Sequence, residues 1–276
     1  MYARLACWTL LAALVSASLP TVADPLVSLK DPTRDDDGPG VFKYPTDPVY
    51  KPGTFDITAF EVHRKGANLV FKVTVRSRIT DPWDSRSWDG NGFSLQFAQI
   101  YVDQDHKDGS GFCEGLPGLN VKFKKESCWE KVVLISPQGR SRLKSEVRQK
   151  AAALEKGVVI PKVTRVKGKT LEAVVKARDL GGVPKKGWGW LVVMQSNEGY
   201  PDRNDLLTRK VNEYAGKHRF GGGSDWNCDP QVLDMVVAPG KGLDGEKEAQ
   251  HKALAFTCNE ADPDGSPLVE LPMVYP

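Results

Sequence analysis

Asp35, Asp36 and Asp37 stand in succession and run into Gly38-Pro39-Gly40. Three carboxylates in one turn repel one another unless water or a cation intervenes. Calcium takes about six to eight oxygen ligands and tolerates irregular loops, so it suits such a turn. Asp31 and Asp56 reach the same place if this segment folds back on the first strand. The competing reading is a solvated acidic turn. A second acidic stretch, Asp103-Gln-Asp105-His-Lys-Asp108-Gly109, is close to the calcium loop D-x-[DN]-x-[DN]-G, with its third acid and its glycine one place late. An acidic hairpin end is the simpler reading. Asp103 ends a strand and could instead serve the ion of the first stretch.

Tryptophans offer a different chemistry. An aromatic face stacks on a sugar ring by burying its apolar side, while nearby polar groups fix the orientation. Trp83 and Trp88 lie in a polar loop over residues 81–92, and Trp226 lies in a glycine-rich loop over 221–229. The alternative is that they cap the ends of the fold. If Trp83 and Trp226 share an end, they could flank one sugar ring. Trp188 and Trp190 share a strand face with Val192 and Met194 and read as core. Gly221-Gly222-Gly223 lacks the continuation of a phosphate loop and reads as a turn requiring positive φ. No G-x-S-x-G, H-E-x-x-H or C-x-x-C-H motif occurs.

Elements must position these groups. Leu69, Phe71, Val73 and Val75 alternate with Lys72, Thr74 and Arg76, the pattern of a half-buried strand. Residues 55–63 precede it across Lys65-Gly66-Ala67-Asn68, a hairpin turn. Residues 93–102 repeat the alternation, with Phe93, Leu95 and Phe97 on one face. Further strands are expected over 129–136, 157–166, 170–177, 187–194 and 232–237, with a second hairpin at Lys167-Gly168-Lys169. Residues 141–156 place Leu143, Val147, Ala151 and Leu154 at helical spacing, which predicts one amphipathic surface helix with a basic outer face. Residues 24–53 read as an extended, turn-filled lead-in, and the stretch after Gly240 as irregular structure. Many strands with turn signals between them predict an all-β antiparallel β-sandwich of immunoglobulin-like kind, with that single helix on its surface.

The chain has 276 residues and a net charge of +3, a balance unlike that of a dedicated nucleic-acid binder. Arg4, an apolar run over 5–19, and small residues at Thr21 and Ala23 make residues 1–23 a secretory signal with cleavage after Ala23. The run of about 15 residues falls short of the roughly 20 that a membrane span needs, so no transmembrane anchor is expected. The mature chain, 24–276, reads as one domain. It keeps Cys113, Cys128, Cys228 and Cys258, an even count that favours disulfides in an exported protein. Three pairings are open; sequence proximity favours Cys113–Cys128 and Cys228–Cys258. Zinc is the alternative, without a C-x-x-C spacing to support it.

Several blocks occur together in order: Asp31-Pro-Thr-Arg-Asp35-Asp36-Asp37-Gly38-Pro39-Gly40, Tyr44-Pro45-Thr46-Asp47, Pro52-Gly53-Thr54-Phe55-Asp56-Ile57, Asn91-Gly92-Phe93-Ser94-Leu95-Gln96, Leu116-Pro117-Gly118, Phe220-Gly221-Gly222-Gly223 and Asp234-Met235-Val236. In this order they resemble the family of the C-terminal module of glucodextranase, within a wider group of DOMON-like sandwiches that includes the family-nine carbohydrate-binding modules. The resemblance implies a β-sandwich outside the cytoplasm, periplasmic or extracellular, attached to carbohydrate or the cell surface. Asp31, Asp35, Asp36 and Asp56 match the family's acidic positions. The expectation is an exported, non-catalytic module for polysaccharide or envelope glycan, stabilised by calcium on acids drawn from Asp31, Asp35, Asp36, Asp56, Asp103 and Asp105. A glycoside hydrolase is its possible partner. Two other functions stay open: a glycoside hydrolase acting on such polymers, and a haem or redox module, whose axial ligands would be Met or His.

Overall fold

The structure is a computed structural model that describes residues 24–238 and 245–276. The signal sequence read in residues 1–23 lies outside the described residues. Twelve strands follow in chain order: β1 (Val27–Lys30), β2 (Ile57–Lys65), β3 (Asn68–Val75), β4 (Gln96–Asp103), β5 (Val121–Phe123), β6 (Lys131–Ile135), β7 (Val158–Val159), β8 (Val163–Lys167), β9 (Thr170–Lys176), β10 (Gly189–Ser196), β11 (Asp234–Val236) and β12 (Val269–Leu271). Helix α1 (Arg140–Lys150) lies between β6 and β7, and α2 (Gly245–Leu254) between β11 and β12. One sheet has the order β1-β2-β3-β9-β8 and the other β11-β10-β4-β6-β7. All neighbours in both are antiparallel except β6 and β7. The result is an all-β sandwich.

The alternation in β3 works as its sequence implies. Leu69, Phe71, Val73 and Val75 are fully buried between the sheets, and Lys72 and Thr74 face outward. Gly66 and Gly168 take positive φ at the two hairpin turns, a conformation that costs glycine little. Trp190, Val192 and Met194 project from β10 into the same core, each worth about 1.5–3 kcal/mol of burial. β4 and β10 are buried along their whole length because both faces are covered. A second apolar layer lies on the outer face of their sheet, where Leu143 and Val147 of α1, Leu254 of α2 and the β5–β12 pair pack on Phe97, Tyr101, Leu191 and Val193.

Five local expectations are corrected. The lead-in is not strand-free, because Val27 and Leu29 alternate with exposed residues and pair with β2 as β1. Phe97 faces the outer layer and Phe93 and Leu95 the inner one, since regular pairing starts only at Gln96. The run over 157–166 splits into β7 and β8 in different sheets; Pro161 lacks the N–H a continuous ladder needs. The polar stretch after Gly240 contains a second helix and a strand. α2 and β12 bury few side chains of their own and so carry weak periodicity. α1 itself ends at Lys150, where Ala151 leaves helical dihedrals, and residues 152–157 continue as a 3-10 turn.

Candidate functional site

The turn after β1 folds back as its acids require. Arg34 takes a left-handed conformation (φ 73°), and its N–H donates to Asp56 Oδ2 at 2.8 Å. Arg76 Nε donates to the same oxygen at 2.5 Å. Asp56 is therefore the buried anchor of the turn, and it swings Asp35 inward. There Asp31, Asp35 and Asp234, all buried, place one carboxylate oxygen each within 4.8 Å of one another. Asp234 opens β11, and its Oδ2 accepts from the N–H of Ile57 at 2.5 Å. Glu246 of α2 completes the group, accepting from Val237 N at 3.1 Å through Oε1.

Most of the oxygens in this cage have no donors. Both oxygens of Asp31, both of Asp35, Oδ1 of Asp56, Oδ1 of Asp234 and Oε2 of Glu246 are buried and unpartnered. Burial, then repulsion from Asp234, Glu246 and Asp35, pushes the Asp31 carboxyl far up. Burial and the Glu246 charge raise Asp35 to about 7. Burial, then repulsion from Asp35, raises Asp234 as well. Buried carboxylates without donors or counter-charges are costly. A hard cation held between Asp31, Asp35 and Asp234, whose oxygens converge, would offset that cost. The donors are oxygens alone, which favours calcium over zinc; His251 is occupied with Asp37 at 2.9 Å. A surface cleft of about 440 Å³, lined in part by Asp31 and Glu246, adjoins the cage.

A pocket of about 370 Å³ is lined by Trp83, Trp88, Tyr200, Asn197, Glu198 and Arg209, among others. Trp88 ends a 3-10 turn (Ser85–Trp88) bracketed by Asp84 and Asp89, both left-handed. Asp81 pins the loop by accepting from Ser85 N, Ser85 Oγ and the Ser94 hydroxyl. Trp88 Nε1 donates to the Trp83 carbonyl at 3.2 Å. Trp83 forms the floor: Arg209 lies over its ring at 5.3 Å, and Tyr50 and His218 meet it edge-on. Trp88 and Tyr200 are the open rings, 37% and 91% exposed. Asn197 is buried in the wall with an unpartnered Oδ1. Arg209 pairs with Glu198 at 3.3 Å.

Residues 26–264 match the family model described as the C-terminal, SLH-like binding module of glucodextranase. The chain belongs to that family. No curated protein matches it. Both the acidic cage and the aromatic pocket lie inside the span shared with the glucodextranase module.

The other acids expected at a metal are placed differently from the cage in this glucodextranase-type module. Asp36 accepts from the Tyr44 hydroxyl. Asp103, Asp105 and Glu130 form their own group, near the far end of β4. Asp103 Oδ1 accepts from Asp105 N and His106 N, and its Oδ2 from the Tyr275 hydroxyl at 2.6 Å. Asp105 is satisfied by Lys107 N and Ser110 Oγ. Donors from the chain thus meet nearly every oxygen, leaving Glu130 Oε1 unpartnered. Asp103 does not share the lead-in cage: it pairs with Gly189, whereas Asp234 pairs with Met194, roughly 16 Å along β10. Sequence reasoning missed Asp234 and Glu246, and in the pocket Tyr200, Arg209 and Glu198.

Trp226 is 55% exposed on the neighbouring loop, outside the lining of the Trp83 pocket. Of the three glycines before it, only Gly222 needs positive φ; a side chain at Gly223 would strike Asp229 Oδ2 at 2.3 Å. Asp229 is fully buried, and burial raises its carboxyl to about 7. The native group stays protonated where the unfolded chain has ionised. It therefore subtracts stability progressively from about pH 4 to pH 7 and by a constant amount above. Asp229→Asn is expected to stabilise the fold at pH 8, by up to about 4 kcal/mol, and to change little at pH 4. Melting curves of both proteins across that range check this; a variant less stable at pH 8 contradicts it. The cysteines pair as Cys113–Cys128 and Cys228–Cys258.

Proposed function

We propose that the chain is a non-catalytic glycan-binding module whose lead-in is locked by calcium on Asp31, Asp35, Asp234 and Glu246. The observation that carries the binding reading is the pocket beneath Trp88 and Tyr200. Exposed aromatic rings over a concave site that also holds Ser94, Gln138, Asn197 and Arg209 suit a sugar, its face on the rings and its hydroxyls on the polar groups. The family's description as a binding module of glucodextranase supports the same class. A glycosidase commonly sets two carboxyls across the scissile bond; this pocket is lined by one, Glu198, and Arg209 neutralises it. Met194 and Met235, the strand methionines a haem would need, are fully buried core residues. Two disulfides are compatible with a place outside the cytoplasm, and among the described residues no helix is long and apolar enough to cross a membrane. In that setting the module would hold a partner hydrolase on its polymer.

The test is affinity electrophoresis through a panel of soluble polysaccharides. Trp88→Ala and Tyr200→Ala are each expected to weaken retention about tenfold or more, about 1.4 kcal/mol, with unchanged melting temperature. Trp226→Ala is expected to leave it unchanged. Trp83→Ala is expected to lower melting as well, because Trp83 packs on the core. A wild type that no polysaccharide retains, or full retention in both the Trp88 and Tyr200 variants, removes the glycan site from this pocket.

A further inference from the structure

Charge is segregated across the sandwich. Residues 139–169 hold ten of the chain's 38 Lys and Arg but only two of its 35 Asp and Glu. They form α1, the 3-10 turn, β7 and β8. β7 and β8 are the edge strands of the two sheets, joined directly through residues 160–162, so they lie along one side of the molecule. The acidic cage sits at the other side, beside β1 and β11.

The basic side is grooved. A cleft of about 220 Å³ is lined by Gln138, Arg140, Pro161 and Lys162, and another of about 240 Å³ by Lys131, Arg140, Lys144, Arg148 and Lys156 against two acids, Glu155 and Asp179. Gln138 also lines the tryptophan pocket, and Arg140 lines both clefts, so the three are neighbours in a row. Among the described residues Arg148 pairs with Glu155, while Arg140, Lys144 and Lys156 take part in no ion pair. The first turn of α1 adds to this: it has no acidic residue and no side-chain cap, and it carries Arg140 and Arg142. Arg142 pairs with Glu146 one turn on, but a cation at a helix start opposes the helix dipole, so helix stability does not account for Arg140. The eleven residues of α1 run about 16 Å, a length that a polymer spans and a single sugar does not.

We propose that this edge recognises the carboxylates of an acidic polysaccharide, a chain of uronate-type sugars that leaves the tryptophan pocket and lies along α1 past Arg140 to Lys144, Arg148 and Lys156. The proposal rests on the glycan reading of that pocket. A uronate unit offers a ring face and a carboxylate together, and Trp88 lines the pocket for the face. Arg142 and Arg209 of the pocket are paired with Glu146 and Glu198. The carboxylates further along the polymer therefore reach Arg140, Lys144 and Lys156, unpaired among the described residues. Arginine meets a carboxylate with two parallel hydrogen bonds, and exposed lysines add attraction that salt screens.

The experiment compares retention by polygalacturonate and by alginate with retention by the same polymers after their carboxyls are reduced to alcohols. The wild type is expected to bind the acidic forms at least tenfold better at low salt, and the preference is expected to vanish at high salt. Arg140→Gln with Lys144→Gln and Arg148→Gln is expected to abolish the preference without lowering the melting temperature or weakening retention by the reduced polymers. Equal retention of the acidic and reduced forms by the wild type, or retention of neither, overturns the proposal. So does tighter binding to duplex DNA or to a phosphodiester-linked glycan. The two readings fail separately. If the triple variant loses the acidic polymers while Trp88→Ala keeps them, the basic edge stands and the tryptophan pocket falls.

Discussion

A chelator is expected to lower the melting temperature of the wild-type chain by roughly 5–10 °C. Both oxygens of Asp31 and Asp35, Oδ1 of Asp234 and Oε2 of Glu246 are buried without a hydrogen-bond partner. An ion that binds only the native state adds about 2.7 kcal/mol at a hundredfold excess over its Kd, and a domain of this size gains about 2–4 °C per kcal/mol. Asp35→Asn with Asp234→Asn removes two anionic ligands yet keeps the Asp234 side-chain oxygen for the Ile57 N–H. That variant is expected to melt at one temperature with or without chelator. Its absolute stability is not the readout, because removing buried charges relieves repulsion as well. Asp103→Asn is expected to retain the full chelator response. A wild type that melts alike in calcium and in chelator ends the calcium reading. A response lost with Asp103→Asn and kept by the Asp35 and Asp234 pair would move the ion to the other end of β4.

Reducing the disulfides is expected to cost more. The bridges close loops of 15 and 30 residues, worth about 3 and about 3.6 kcal/mol in the chain-entropy picture. Together they rival the total stability of an ordinary domain, about 5–15 kcal/mol. Melting in reductant should fall by roughly 15–25 °C. Cys113→Ser with Cys128→Ser should account for nearly half of that loss, and the other pair for the remainder. The first bridge holds the segment that feeds Trp129, fully buried in the outer layer, against β5. The second ties the loop of Trp226 to the segment after α2. Alkylation of four thiols in the unreduced native protein, or a melting curve indifferent to reductant, would refute this.

Much of the sandwich is legible from local pattern. β3 announces itself because only one of its faces is buried, so period two survives in the residue types. β4 is harder to place, since both faces are covered and its alternation disappears; the error at Phe97 follows. Pro161 alone marks the jump between sheets. In the cage, the run Asp35–Asp37 is visible as a cluster, and two of its neighbours, Asp31 and Asp56, sit within one fold-back. Asp234 and Glu246 are single acids in unremarkable surroundings, and nothing short of the tertiary fold joins them to the lead-in. Asp36 looks equivalent to Asp35 in sequence, but one residue of turn directs it to Tyr44 instead. The tryptophans could be nominated by type and loop context. Which of them is open depends on Arg209 covering Trp83, a contact made across the fold.

The cage is built from stretches that are synthesised far apart. Gln250 Nε2 of α2 reaches the Asp35 carbonyl across 215 residues of sequence, and it also accepts at Oε1 from Met235 N. The cage is complete only in a molecule whose two sheets have closed and whose α2 has docked. If these contacts form after the folding transition state, strengthening them would slow unfolding and leave folding speed unchanged. A calcium ion bound there would act as a latch on a finished molecule. Its benefit would be measured in hours of survival against proteases, which cut the chain only when it opens. A chain broken off before Gly245 would carry both tryptophan loops and both sheets and still lack the latch.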